Sequence, residues 1–168
     1  MDTYQSTFNG ADVFIYFALF LIIVSVTTKS KPEDIMQKAT AISVTETLKT
    51  LKCYEGRTPE TKDGEMGDAF AMLASYRDGE IYIGHYTGYS EWERHTSGDE
   101  IVSVLEGETT LVLLTADGEE GHLLTQGGLI IVPQNIWHRF ESPKGVKVFT
   151  VTPQPTEHQV SRPDRPKD

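Results

Sequence analysis

From Ala69 onward, apolar and polar positions alternate in short runs, each closed by a turn signal. The runs read AFAMLASYR, EIYIGHYTGY, SEWERH, EIVSVLEG, ETTLVLLT, GEEGHLLT, LIIVP, IWHRFE and VKVFTVTP. Between them stand Asp78-Gly79, Ser97-Gly98-Asp99, Ala116-Asp117-Gly118, Gly127-Gly128 and Pro143-Lys144-Gly145. Strand-length segments with a turn roughly every eight to twelve residues predict an all-β sandwich or barrel over residues 69–153. No run after Ala69 carries the 3.6-residue period of a crossover helix.

Upstream, residues 36–68 read as a helix and a linker. Thr45 to Cys53 places Leu48 and Leu51 three apart with lysines between, which predicts one short amphipathic helix. Glu55 to Gly67 is polar and linker-like. Residues 154–168, with three prolines and many charges, read as a disordered tail.

Residues 1–35 hold a different pattern, an apolar run from Val13 to Val26 followed by Lys29 and Lys31. The run falls short of the ~20 residues that cross a bilayer, and no basic residue precedes it as in a secretory signal. It reads as a short membrane anchor, a candidate transmembrane helix, or as an extension outside the working protein, with Met36 the functional start. If residues 13–26 do span, the following lysines leave the barrel facing the cytoplasm. Either way the folded part is expected to be cytoplasmic.

Composition narrows the functions. Fifteen Lys and Arg against 25 Asp and Glu give a net charge of -10, so the phosphate neutralisation that nucleic-acid binding needs is missing. The single cysteine, Cys53, excludes an internal disulfide and a Cys-based metal site. Any metal must be held by His and carboxylate.

Those residue types gather in two places, WERHTSGDEIVSVLEG and GGLIIVPQNIWHRFE. Period-two alternation puts Glu93 and His95 on one strand face and Trp92 and Arg94 on the other. Ser97-Gly98-Asp99 turns the chain so that Glu100 opens the next strand, and a later strand beyond Pro133 supplies His138. His95, Glu100 and His138 form a 2-His-1-carboxylate set suited to a divalent first-row metal. His85, His122 and His158 read as structural or solvated, Tyr82 and Tyr86 as core, and Cys53 as inert. Trp137 and Phe140 read as packing residues, and Arg94 and Arg139 as surface charges.

These residues resemble the cupin superfamily, whose motifs run G(X)5HXH(X)3-4E(X)6G and G(X)5PXG(X)2H(X)3N. Here the first appears as Glu93-Arg94-His95, Glu100 and Gly107, with Gly88 one residue closer than the pattern asks. The second appears as Gly127, Pro133-Gln134-Asn135, His138 and Ser142. The resemblance covers roughly residues 70 to 153. It implies a jelly-roll β-barrel, frequently dimeric, with a divalent transition metal inside (Fe, Mn, Ni or Zn).

The sequence departs from the pattern at three positions: Glu93 replaces the first motif histidine, Asn135 the motif glycine and Ser142 the last asparagine. Glu93 is thus a fourth ligand, favouring an oxygen-loving ion, a general base beside a three-ligand site, or a solvent-facing residue at the barrel mouth. The resemblance implies a metal-dependent enzyme of the dioxygenase, lyase, decarboxylase or isomerase class, acting on a small polar molecule. The alternative is a non-catalytic module that holds or senses a small ligand. A homodimer is the expected assembly.

Overall fold

The computed structural model describes residues 39–165. The readings made for the run Val13–Val26 lie outside the described residues. Among the described residues no helix is long and apolar enough to cross a membrane.

The expected helix is present as α1, Val44–Thr50. Ser43 caps it by accepting from the Glu46 N–H at 3.3 Å, and Leu51 turns extended and ends it. None of its residues is buried. The next stretch corrects the linker reading. It contains a strand β1 (Tyr54–Arg57) and a single helical turn α2 (Asp63–Met66). β1 is held by backbone pairing, parallel to β3, and its exposed Glu55 and Gly56 carry no hydropathy alternation that would announce a strand.

The remaining strands are β2 (Phe70–Tyr76), β3 (Gly79–Tyr89), β4 (Trp92–His95), β5 (Glu100–Thr115), β6 (Gly118–Thr125), β7 (Leu129–Val132), β8 (His138–Pro153) and β9 (Thr156–Gln159). β5 and β8 are twice the expected length. β8 fuses two runs that Pro143-Lys144-Gly145 separates in the sequence, and β5 fuses the two runs that meet at Gly107. At Pro143-Lys144-Gly145 the register with β3 jumps from Ser142 to Val146, so the three residues bulge out and the strand resumes. Pro143 is exposed there, where its missing N–H is no loss.

β8 is the central strand, antiparallel to β3 and to β5 along most of its length. Its even positions, from His138 through Phe140, Ser142, Val146 and Val148 to Thr152, are buried except Lys144 in the bulge. In β5 the buried phase passes from Val102 and Val104 to Leu111 and Leu113, because Gly107 at φ +80° shifts the register. These residues, with Tyr86, Leu124, Val132 and Phe140, form the main core. Val112 and Leu114 point the other way, into a second cluster with Trp92.

The tail also corrects the sequence reading. Residues 156–159 form β9, which pairs antiparallel with β4 from Trp92↔Gln159 to His95↔Thr156. Arg94 binds the Glu157 carboxylate, and Arg162 donates from Nε to Glu119 at 2.6 Å. Prolines and charges mark this segment as disordered only when it is read alone. β4 offers it an open backbone edge.

Candidate metal centre

β4 is a four-residue strand with alternating faces. Trp92 and Arg94 point outward, where Arg94 lies over Trp137 and Arg139 over Trp92. Glu93 and His95 point inward. Opposite Glu93 on β8 stands His138, and Glu100 opens β5. The four side chains each bring one ligand atom within 4.8 Å of the others.

The ring nitrogens are aimed by local hydrogen bonds. The His138 Nδ1–H donates to the Ile136 carbonyl at 3.0 Å, which turns Nε2 to the cluster. There Nε2 lies 3.0 Å from Glu100 Oε2 and 3.4 Å from Glu93 Oε1. His95 Nδ1 lies 3.2 Å from the Thr156 hydroxyl, so its Nε2 also faces inward. That atom is 3.3 Å from Glu100 Oε2 but outside hydrogen-bonding geometry, and it is buried without a partner. The Thr152 hydroxyl donates to Glu100 Oε1 at 2.7 Å, fixing the carboxylate from behind.

His95, Glu100 and His138 are each at most 2% exposed. Burial alone would push the Glu100 carboxyl up, but the hydrogen bond from His138 and the two imidazoles standing against it outweigh this and hold the group well below the usual carboxylate range. Burial likewise pushes the His138 imidazole down, and the carboxylates of Glu100 and Glu93 reverse this and hold it well above its ordinary value. Without an ion, a proton on Nε2 supplies the positive charge that the two carboxylates demand.

The three departures from the family pattern have separate physical accounts. Asn135 adopts φ +67°, the left-handed region that glycine favours and asparagine tolerates best among the other residues. Its N–H donates to the His95 carbonyl at 2.9 Å, tying the turn before β8 to β4. Ser142 is fully buried and donates to the Thr109 hydroxyl at 2.8 Å, a packing role far from ligation. Glu93 keeps a ligand's place in the cluster, 17% exposed at the wall of the interior cavity.

That cavity encloses about 450 Å³. Glu93, Glu100, Tyr86 and Phe140 line it, and so do Arg57, which the sequence reading passed over, and His158, which it placed in solvent. His158 is the β9 partner of Glu93, with Nδ1 2.9 Å from Glu91 Oε1, so it is not simply solvated. Tyr82 and Tyr86 face the same space rather than serving only as core. His85 lies outside the cluster, pushed down by burial and by the nearby Lys147 cation. His122 pairs with Glu120 at the surface.

A family model described as a cupin domain matches residues 84–152. No curated protein matches the chain. Among solved structures, protein NMB1881 from Neisseria meningitidis is 19% identical with a TM-score of 0.51, covering 68% of this chain and 100% of that one. A cupin-2 domain containing protein from Shewanella frigidimarina is 20% identical with a TM-score of 0.44, over 51% of this chain and 79% of the other. Hydroquinone 1,2-dioxygenase from a Sphingomonas species is 19% identical with a TM-score of 0.43, over 55% and 67% of the two chains. At such identities the likeness is one of fold. The matched residues begin in β3 and run into β8, a stretch that contains all four residues of the Glu93, His95, Glu100 and His138 cluster, and over this stretch the chain is similar to a cupin domain.

Proposed function

We propose that this protein is a metal-dependent enzyme acting on a small polar molecule inside the barrel. Glu93, His95, Glu100 and His138 hold the ion, a divalent Fe, Mn, Ni or Zn. The observation that carries this reading is the convergence of four ligand atoms within 4.8 Å, one of them a buried imidazole nitrogen with no hydrogen-bond partner. Two imidazoles and two carboxylates suit a first-row divalent cation, and an ion accepting the His95 lone pair would satisfy the orphaned atom.

When bound, the ion supplies Lewis-acid or redox chemistry to a substrate beside it. The residues do the rest. Ile136 and Thr156 orient the two rings, and Thr152 fixes Glu100. Glu93 is the most exposed of the four and forms part of the cavity wall, so it is the ligand that an incoming substrate meets. Phe140 and Val148 give the same cavity an apolar wall beside it.

Metal analysis of purified protein tests the reading. A stoichiometric transition metal is expected in the wild type, and its loss in His95→Ala and in His138→Ala. Full occupancy in both variants overturns the site. Fully stable wild type that takes up no metal leaves a ligand-binding module instead. We also propose that two copies pair, with the exposed apolar side chains of Leu123, Leu129 and Ile131 available to such a contact. Sedimentation showing only monomer overturns that part.

A further inference from the structure

Arg57 ends β1, opposite Gly88 of β3, and is 8% exposed. Its guanidinium carbon lies 5.2 Å from the Tyr86 ring centroid and 5.8 Å from that of Phe70. The two rings stack on each other at 5.4 Å. Nε is buried without a partner, and among the described residues no carboxylate pairs with this guanidinium. Leaving a buried cation without a counter-charge is costly, and contact with ring faces offsets only part of that cost.

The backbone is shaped to admit this group. Gly88 has φ +110°, and a Cβ there would overlap the Arg57 carbonyl. At Gly84 a Cβ would stand 2.6 Å from Phe70 Cε1. Two glycines of β3 thus let β1 and the Phe70 ring approach closely enough to seat the cation at the cavity wall. Among the described residues Arg57 is the only Lys or Arg lining the cavity, whose wall also includes Glu93 and Glu100.

We propose that Arg57 is the anchor for the carboxylate group of a small organic acid, the substrate class of this site. A guanidinium offers a planar fork of N–H donors that matches the two oxygens of a carboxylate. One cation balances one negative charge. A dianionic phosphate would leave a charge over in a space already walled by two glutamates. The apolar body of the acid lies against Phe70, Tyr86, Phe140 and Val148, and its other end points to Glu93. That direction rests on the metal-centre reading above, whereas capture of the anion does not.

The test uses the full chain treated with EDTA, so that no metal can bind the anion, and three probes: benzoate, its neutral isostere benzamide, and phenyl phosphate. By calorimetry, benzoate is expected to bind about tenfold or more tighter than benzamide, the scale of a charge-assisted hydrogen-bonded pair. Arg57→Gln erases the difference. Equal binding of benzoate and benzamide to the wild type overturns the proposal, as does a benzoate preference that survives in Arg57→Gln. Tighter binding of phenyl phosphate overturns the carboxylate class. Should Arg57→Gln fail to fold, the wild type still decides. Nuclear Overhauser contacts from bound benzoate to the Phe70 and Tyr86 rings support the anchor, and their absence refutes it. Metal analysis on untreated protein separates the two readings: metal without a benzoate preference removes only the anchor, and a benzoate preference without metal removes only the enzyme.

Discussion

Glu93 and His138 face each other across the antiparallel β4–β8 pair, Oε1 standing 3.4 Å from Nε2. A carboxylate in the slot of a family histidine therefore reaches the same point that the imidazole beside it reaches. Glu93→Gln is expected to weaken metal binding by about 10-fold or more, because an amide oxygen donates poorly and leaves the ion's charge less neutralised. Competition with a chromophoric chelator measures it. Unchanged metal affinity with turnover down by roughly 10²–10⁴-fold would instead make Glu93 the general base.

That pair was legible in the sequence because alternation in a strand has a fixed period. Glu93 and His95 share a face at any register, and the buried even positions of β8 include His138 by the same rule. Gly107, Gly127 and Asn135, named by the motifs, each take a positive φ. Arg57 and His158 were illegible for the opposite reason. β1 and β9 are short, polar and held by backbone pairing to β3 and β4, and no hydropathy pattern records a partner's open edge. Only the glycines at 84 and 88 hinted that something approaches β3 closely. The fused strands β5 and β8 hid behind turn residues that serve as bulges.

Gly88→Ala is expected to destabilise the protein by ~2 kcal/mol or more, since it forces a side chain into positive φ and onto the backbone of β1. Denaturant unfolding measures the loss. Arg57 moves with β1, so the benzoate preference falls as well. A variant of wild-type stability would show that β1 does not sit where Gly88 needs to be bare.

Acid is expected to loosen the grip on the C-terminal residues. Hydrogen bonds from Arg162 and then Arg139 hold the Glu119 carboxyl below the usual carboxylate range, so its folded value lies under its unfolded one. The stabilisation is complete above the ordinary value of ~4.3 and disappears as pH falls through the lowered one. With a third of the side chain exposed, it is worth at most ~1 kcal/mol. Comparing Glu119→Gln with wild type by urea unfolding, the gap present at pH 7 closes on acidification. A gap that widens in acid contradicts the sign.

A chain beginning at Met36 is expected to be folded and metal-competent, since every ligand lies in the compact unit Thr40–Asp168. Circular dichroism and metal content decide. Aggregation of this chain, beside a full chain that stays soluble without detergent, would make the apolar run part of the fold.

Ending the chain at Gln154 tests the role of β9. β4 carries two of the four candidate ligands, yet it meets β8 in register only at Glu93↔His138, whereas four of its residues pair with β9. Removing β9 also removes the Thr156 hydroxyl beside His95 Nδ1, the Glu157 partner of Arg94 and the His158 wall of the cavity. The main core involves none of these residues, so the barrel is expected to stay folded with a lowered melting temperature. Metal affinity falls further than stability does, by about 10-fold or more, the usual effect of losing a group that orients a ligand. Thr156→Val in the full chain isolates the hydroxyl from the strand, keeping β9 while removing the contact to the ring. Metal titration of both chains beside wild type is the measurement. Unchanged affinity in the shortened chain would mean that β4 holds its two ligands without β9.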